Sequence, residues 1–164
     1  MSSDSDSDSN SDSDSDDSSN HIHIPSSEEF QANLLRIREN DPRLTRVNVD
    51  GDWDSVQNMT NEDWEELGRN TSNNTYLQNV YIVNSALNNH TASCFFRGLT
   101  RSSSILELAL HNNTLSGVQF MMPFLQNANN LICLYLNRHN LQSEGFNLLL
   151  RSLHDSLIEE LIFW

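Results

Sequence analysis

Along this chain one arrangement of apolar positions keeps returning, L-x-x-L-x-L-x-x-N-x-L, where x is any residue. Ile105, Leu108, Leu110, Asn113 and Leu115 fill it completely. Leu131, Leu134, Leu136 and Leu141 form the next copy, with His139 at the Asn position. Leu77, Val80, Ile82 and Leu87 form the copy before, with Ser85 there. Leu44, Val47 and Val49 open an earlier one, with Asp52 at that place, and Ile158, Leu161 and Phe163 begin an incomplete last one. The copies start 33, 28, 26 and 27 residues apart, and residues 53–59 are expected to hold the extra loop of the long first interval. Because Asn113 alone supplies the Asn, an unbroken ladder of side chains bonded to the backbone is not expected.

Within each copy, positions four to six alternate apolar and other residues, which predicts a short strand. Positions four and six then point inward, while three, five and seven point to the open face. After position eleven the apolar spacing changes to three and four, the signature of one helix face. Val118, Met121, Met122 and Leu125 mark one such helix, and Phe146, Leu149, Leu150 and Leu153 another. Trp64 and Leu67 mark a third, with Thr60 or Asn61 as its N-cap. Ala92, Cys94, Phe95, Phe96 and Leu99 mark a less regular fourth, and Gly117 and Gly145 sit at corresponding turns. Ahead of the first copy, Ser26-x-x-Glu29 is a capping box, followed by Phe30, Leu34 and Ile37 on one stripe. This predicts a helix over 26–40 that stops before Asp41-Pro42, because the residue preceding a proline avoids helical geometry. One unit cannot bury both its strand face and its helix face, so neighbours stack, and the first helix caps the open end.

The last three of these intervals fit the leucine-rich repeat period of about 20–29 residues, and the first is long. Over roughly residues 27–164 the chain resembles leucine-rich repeat proteins of the ribonuclease-inhibitor type. The resemblance implies an α/β fold, a leucine-rich repeat solenoid forming a horseshoe segment, with parallel strands on the concave face and helices on the convex face. The expected organisation is a Ser/Asp-rich tail and linker over 1–25, then a repeat domain over 26–164 with cap helix 26–40 and repeats starting near 44, 77, 105, 131 and 158. The last copy breaks off without its helix, so further repeats or another chain are expected to cover that edge. The stretch from Leu34 to Val49, LLRIRENDPRLTRVNV, is also similar to the opening of the tropomodulin repeat domain. Tropomodulins cap actin pointed ends, and that likeness implies the same activity here as an alternative.

Charge changes the picture at the N-terminus. Residues 1–20 hold ten Ser and seven Asp, a composition that gives nothing to bury against the entropy of ordering. The chain carries 23 acids against nine Arg and no Lys, a net charge of −14, of which −7 sits on that tail. The lack of Lys excludes P-loop phosphate binding and Schiff-base chemistry. The acidity opposes phosphate backbones, so no nucleic acid is expected as a partner. No apolar run is long enough to span a membrane, and MSSDSDSD lacks the basic and apolar regions of a signal peptide, so an intracellular, cytoplasmic protein is expected. Cys94 and Cys133 cannot form a disulfide framework. Ser3, Ser5, Ser9, Ser11 and Ser13 each have an Asp three residues on, a pattern similar to casein kinase 2 substrates, and are candidate phosphate acceptors. His21 and His23 offer too few ligands for a metal site, and no metal or cofactor is expected. Arg36, Arg38, Arg43 and Arg46 form a basic cluster that can take the tail's carboxylates or phosphates.

The strand register names the candidate binding residues. Position three gives Asn79, Glu107, Cys133 and Glu160, position five Tyr81, Ala109, Tyr135 and Ile162, and position seven Val83, His111, Asn137 and Trp164. Tyrosines among polar neighbours suit a protein interface. The expected function is therefore a non-enzymatic interaction module or scaffold that binds a protein partner, of unstated identity, on the concave face. A pointed-end actin regulator is the alternative. A hydrolase or transferase using His111, Cys133 and Glu107 ranks below both, because no catalytic signature accompanies them.

Overall fold

The computed structural model describes residues 26–139, 141, 143–153 and 157–163. The expectations for the tail, its serines and Trp164 lie outside the described residues. The first helix, α1 (Ser27–Arg38), is capped by Ser26, whose hydroxyl accepts the Glu29 N–H at 3.2 Å. Glu28 and Glu29 in its first turn and Arg36 and Arg38 in its last complement the helix dipole. The chain leaves the helix through Asn40 at φ 55°, a left-handed conformation that Asn tolerates well. Phe30 and Ile37 are buried and Leu34 is half-buried, as their spacing predicts.

Five strands follow: β1 (Arg46–Asp50), β2 (Asn79–Val83), β3 (Glu107–His111), β4 (Cys133–Tyr135) and β5 (Glu160–Ile162). They form one parallel sheet in the order β1-β2-β3-β4-β5. Each pairs in register with the next, so Val47, Val80, Leu108, Leu134 and Leu161 make one row and Val49, Ile82 and Leu110 another. These are the expected inward positions, and in β1 to β4 they are buried in the core together with the helices.

The side-chain ladder continues where the template loses its Asn. Asn113 Nδ2 donates to the Ile82 carbonyl at 2.9 Å, while its Oδ1 accepts the N–H groups of Ser85 and Leu87, both at 3.1 Å. Ser85 Oγ donates to the Val49 carbonyl at 3.2 Å, and His139 Nε2 lies 2.6 Å from the Leu110 carbonyl. Three different residues thus reach the same position-six carbonyl of the preceding unit. The bond needs a donor of suitable length, and Asn is only one way to supply it.

Between the strands lie α2 (Asp54–Gln57), α3 (Asn61–Asn73), α4 (Asn89–Leu99), a 3-10 turn over Gln119–Met121, α5 (Met122–Leu125) and α6 (Ser143–Ser152). Thr60 and Asp63 close a capping box on α3, and Asn88 with Thr91 does the same on α4. The extra residues of the first interval contain the short α2, which buries Val56. The single helix expected around Val118 and Leu125 is broken into the turn and α5, because Pro123 has no N–H to donate and fits only a first turn. On α6 Leu149 is buried but Leu150 is 46 % exposed, since neighbouring residues stand about 100° apart around a helix. Among the described residues no helix is long and apolar enough to cross a membrane.

Two glycines that look like helix weaknesses in the sequence set the α3–α4 contact. A Cβ on Gly68 would stand 2.0 Å from the Phe95 carbonyl oxygen, and one on Gly98 would stand 2.5 Å from Arg69 N. Gly98→Ala therefore forces the helices apart, and a loss of about 2 kcal/mol is expected in the urea unfolding free energy. Asn113→Ala strands two N–H groups and a carbonyl, at a cost of about 3 kcal/mol in the same measurement.

Candidate functional site

The open side of the sheet is built from the residues that alternate with the buried rows. Across the strands, position three reads Arg46, Asn79, Glu107, Cys133 and Glu160. Position five reads Asn48, Tyr81, Ala109, Tyr135 and Ile162, and position seven pairs Asp50, Val83 and His111. Asn137 lies in the turn after β4, and its buried Oδ1 accepts no hydrogen bond from a described residue. Ala109, between the two tyrosines, is only 7 % exposed.

Register brings some of these residues into direct contact. Asn79 Nδ2 donates to Glu107 Oε2 at 2.5 Å. Tyr135 donates to Glu160 Oε2 at 2.9 Å, and Cys133 Sγ lies 3.6 Å from the same oxygen. The Arg46 guanidinium rests 5.4 Å from the centre of the Tyr81 ring. Hydrogen bonding to Glu160 first, then burial, holds the Tyr135 phenol well above its ordinary range. Burial first, then Glu107, raises the Tyr81 phenol, with Arg46 opposing. Burial also pushes the Cys133 thiol up, with Glu160 and Glu107 adding to it and Tyr135 opposing, so the sulfur is held as a thiol.

His111 is not brought to Cys133. Cys133 pairs with Glu107 at position three, whereas His111 stands at position seven beside Val83. Four residues along a strand amount to about 13 Å. The three groups considered for catalysis therefore do not converge.

The expected basic cluster is also reorganised. Arg36 Nε and Arg43 Nε lie 2.9 and 3.1 Å from the Asp41 carboxylate, which further accepts the Arg43 backbone N–H at 2.9 Å. Asp41 was not singled out in the sequence beyond its place before Pro42, although an acid among four arginines is the signal for such a hub. Between α1, α2 and α3 there is also an open cleft of about 410 Å³, lined by Phe30, Leu34, Leu35, Met59 and Leu67 among others. The Asn79–Glu107 and Tyr135–Glu160 pairs are on the sheet face instead.

Arg43 first, then its backbone N–H and Arg36, hold the Asp41 carboxyl far below the usual carboxylate range. A depressed folded-state value gives stability that is present above the unfolded value of about 3.9 and is lost as pH falls toward the folded one. The gap in urea midpoint between wild type and Asp41→Asn is therefore expected to be full near pH 6. It should close as the pH is lowered below about 4.

No family model matches the chain, and no curated protein does. Solved structures do. Actin-binding site 2 of leiomodin-1 superposes with a TM-score of 0.69 at 22 % identity, covering 86 % of this chain and 81 % of that one. The tropomodulin C-terminal domain of Caenorhabditis elegans gives a TM-score of 0.68 at 14 % identity, covering 83 % of each chain. At these identities the likeness is one of fold, a mixed α/β arrangement with a five-stranded parallel sheet.

Proposed function

We propose that this chain is a non-enzymatic actin-binding domain of the tropomodulin and leiomodin kind, with a leucine-rich repeat architecture and a cytoplasmic setting. The observation that carries the reading is the superposition over 86 % of the chain on a domain named for binding actin. The opening stretch from Leu34 to Val49 supports it too, because its sequence is similar to the opening of the tropomodulin repeat domain. A general scaffold that binds some other protein is the broader reading, and the shared fold favours the actin-directed form over it.

The contact surface we assign is the open sheet face, with Tyr81 and Tyr135 as anchors and Glu107, His111 and Glu160 around them. Large aromatic side chains already held in place, Tyr135 by its bond to Glu160 and Tyr81 by the Arg46 guanidinium, lose little freedom on docking, which suits them to this role. Against catalysis stand the protonated Cys133 thiol and its separation from His111. Phosphate on Ser3, Ser5, Ser9, Ser11 and Ser13 would add charge to the tail and tune long-range attraction, which phosphate mapping on native protein tests.

The decisive experiment is elongation from pointed ends with barbed ends blocked, alongside co-sedimentation with filaments. The wild-type chain is expected to alter pointed-end elongation, and Tyr81→Ala with Tyr135→Ala to weaken its binding about tenfold or more. No effect of saturating wild-type protein on actin would overturn the actin reading.

A further inference from the structure

Deepening the assignment of the sheet face as the contact surface, and resting on it, we propose that the β3–β5 half of this face docks a cationic segment, one bearing arginine or lysine, of a protein partner. The face is chemically uneven. Position three runs from a cation on β1, Arg46, to carboxylates on β3 and β5, Glu107 and Glu160. Elsewhere two acids are matched by arginine. Asp41 holds Arg36 and Arg43, and Glu65 holds Arg69 and Arg97. Glu107 and Glu160 meet neutral donors instead: Asn79 for one, Tyr135 and Cys133 for the other. Neither forms an ion pair with a described residue.

In both glutamates the bonded atom is Oε2. A carboxylate offers about four acceptor sites, so each keeps capacity for an incoming donor. The two stand two strands apart, about 10 Å, within reach of two basic side chains of one segment.

The tyrosines supply the second half of the recognition. Arg46 already places a guanidinium over the Tyr81 ring, at a distance where the cation is attracted to the ring face. No described residue places a cation over Tyr135. Both phenols are held protonated, so they add no charge of their own, and Tyr135 keeps its donor on Glu160. A basic side chain laid against Tyr135 reaches an aromatic surface and the Glu160 carboxylate together. Arg46 repels the same segment at the β1 end, so the occupant has a defined polarity, its basic part over β3–β5.

The test is fluorescence anisotropy with the full chain and a labelled peptide of alternating arginine and alanine, against a glutamate-for-arginine control. The arginine peptide should bind and the glutamate peptide should not. Glu107→Gln with Glu160→Gln is expected to weaken binding about tenfold at an unchanged urea midpoint. Glu28→Gln with Glu66→Gln, exposed on helices, removes the same charge and should leave binding unchanged. Arg46→Glu should strengthen it several-fold. Affinity should fall between about 0.1 M and about 1 M salt, where the screening length drops from about 10 Å to about 3 Å. Equal affinity in wild type and the Glu107→Gln, Glu160→Gln chain, or equal weakening by both pairs of substitutions, overturns the proposal. The actin assay keeps the two readings apart. A chain that ignores actin but takes the peptide on Glu107 and Glu160 sinks the actin reading alone.

Discussion

The bond on which this structure depends runs from each unit back to the one before it. Ser85, Asn113 and His139 stand at the same place in successive units, and each reaches the carbonyl that closes the inward row of the preceding strand. That carbonyl lies under the next unit, away from water, and a buried polar group left without a partner costs about 1–3 kcal/mol. The donor therefore has to arrive, and its short side chain can arrive in only one register. A slip of one residue would turn every inward Val, Ile and Leu of a strand to the open face. Register, apolar burial and the ladder are one constraint seen from three sides.

The helical side adapts to that fixed spacing. Where α3 and α4 are long, glycine at 68 and 98 lets their backbones touch. Where Pro123 shortens the next element to a turn and α5, aromatic rings span the gap: Phe96 meets Phe120 at 5.5 Å and Phe124 at 5.7 Å. Trp64 and Phe95 continue the same packing toward the first units, edge to face at 6.4 Å. The sheet is therefore regular while the helices are not. A surface built on the sheet inherits its regularity.

What could be read from the sequence follows the same division. The strands and their pairing were legible because an alternation of two sits inside a recurrence of 26 to 33 residues, and few folds satisfy both. The ladder was misjudged because a template names a residue, whereas the backbone asks only for a donor. The helix around Met121 was misjudged because apolar spacing outweighed Pro123. Gly68 and Gly98 went unnoticed because glycine within a helix reads as a propensity cost until a neighbouring backbone is known to lie against it. At the candidate site, the rows expected along β2 to β5 pair across the sheet, but the contacts within them were not legible. That Tyr135 donates to Glu160, or that His111 and Cys133 stand at opposite ends of their strands, depends on neighbours across the sheet and on position along it.

The distribution of arginine explains why the sheet face keeps its charge. Nine cations cannot match 23 acids, and several of the nine are committed to architecture. Arg36 and Arg43 hold the turn at Asp41, Arg97 ties α4 to Glu65 on α3, and Arg46 covers Tyr81. The glutamates of β3 and β5 are left with hydrogen bonds that fix their position without neutralising them. Seven Asp near the N-terminus enlarge the same negative field. Such a field raises the rate of encounter with any cationic surface, since long-range attraction acts before contact. Discrimination has to come at short range, where two tyrosines and two carboxylates are held at strand spacing by the ladder beneath them. The bonds that keep the units in register are thus also what gives the open face a fixed pattern of charge and aromatic surface.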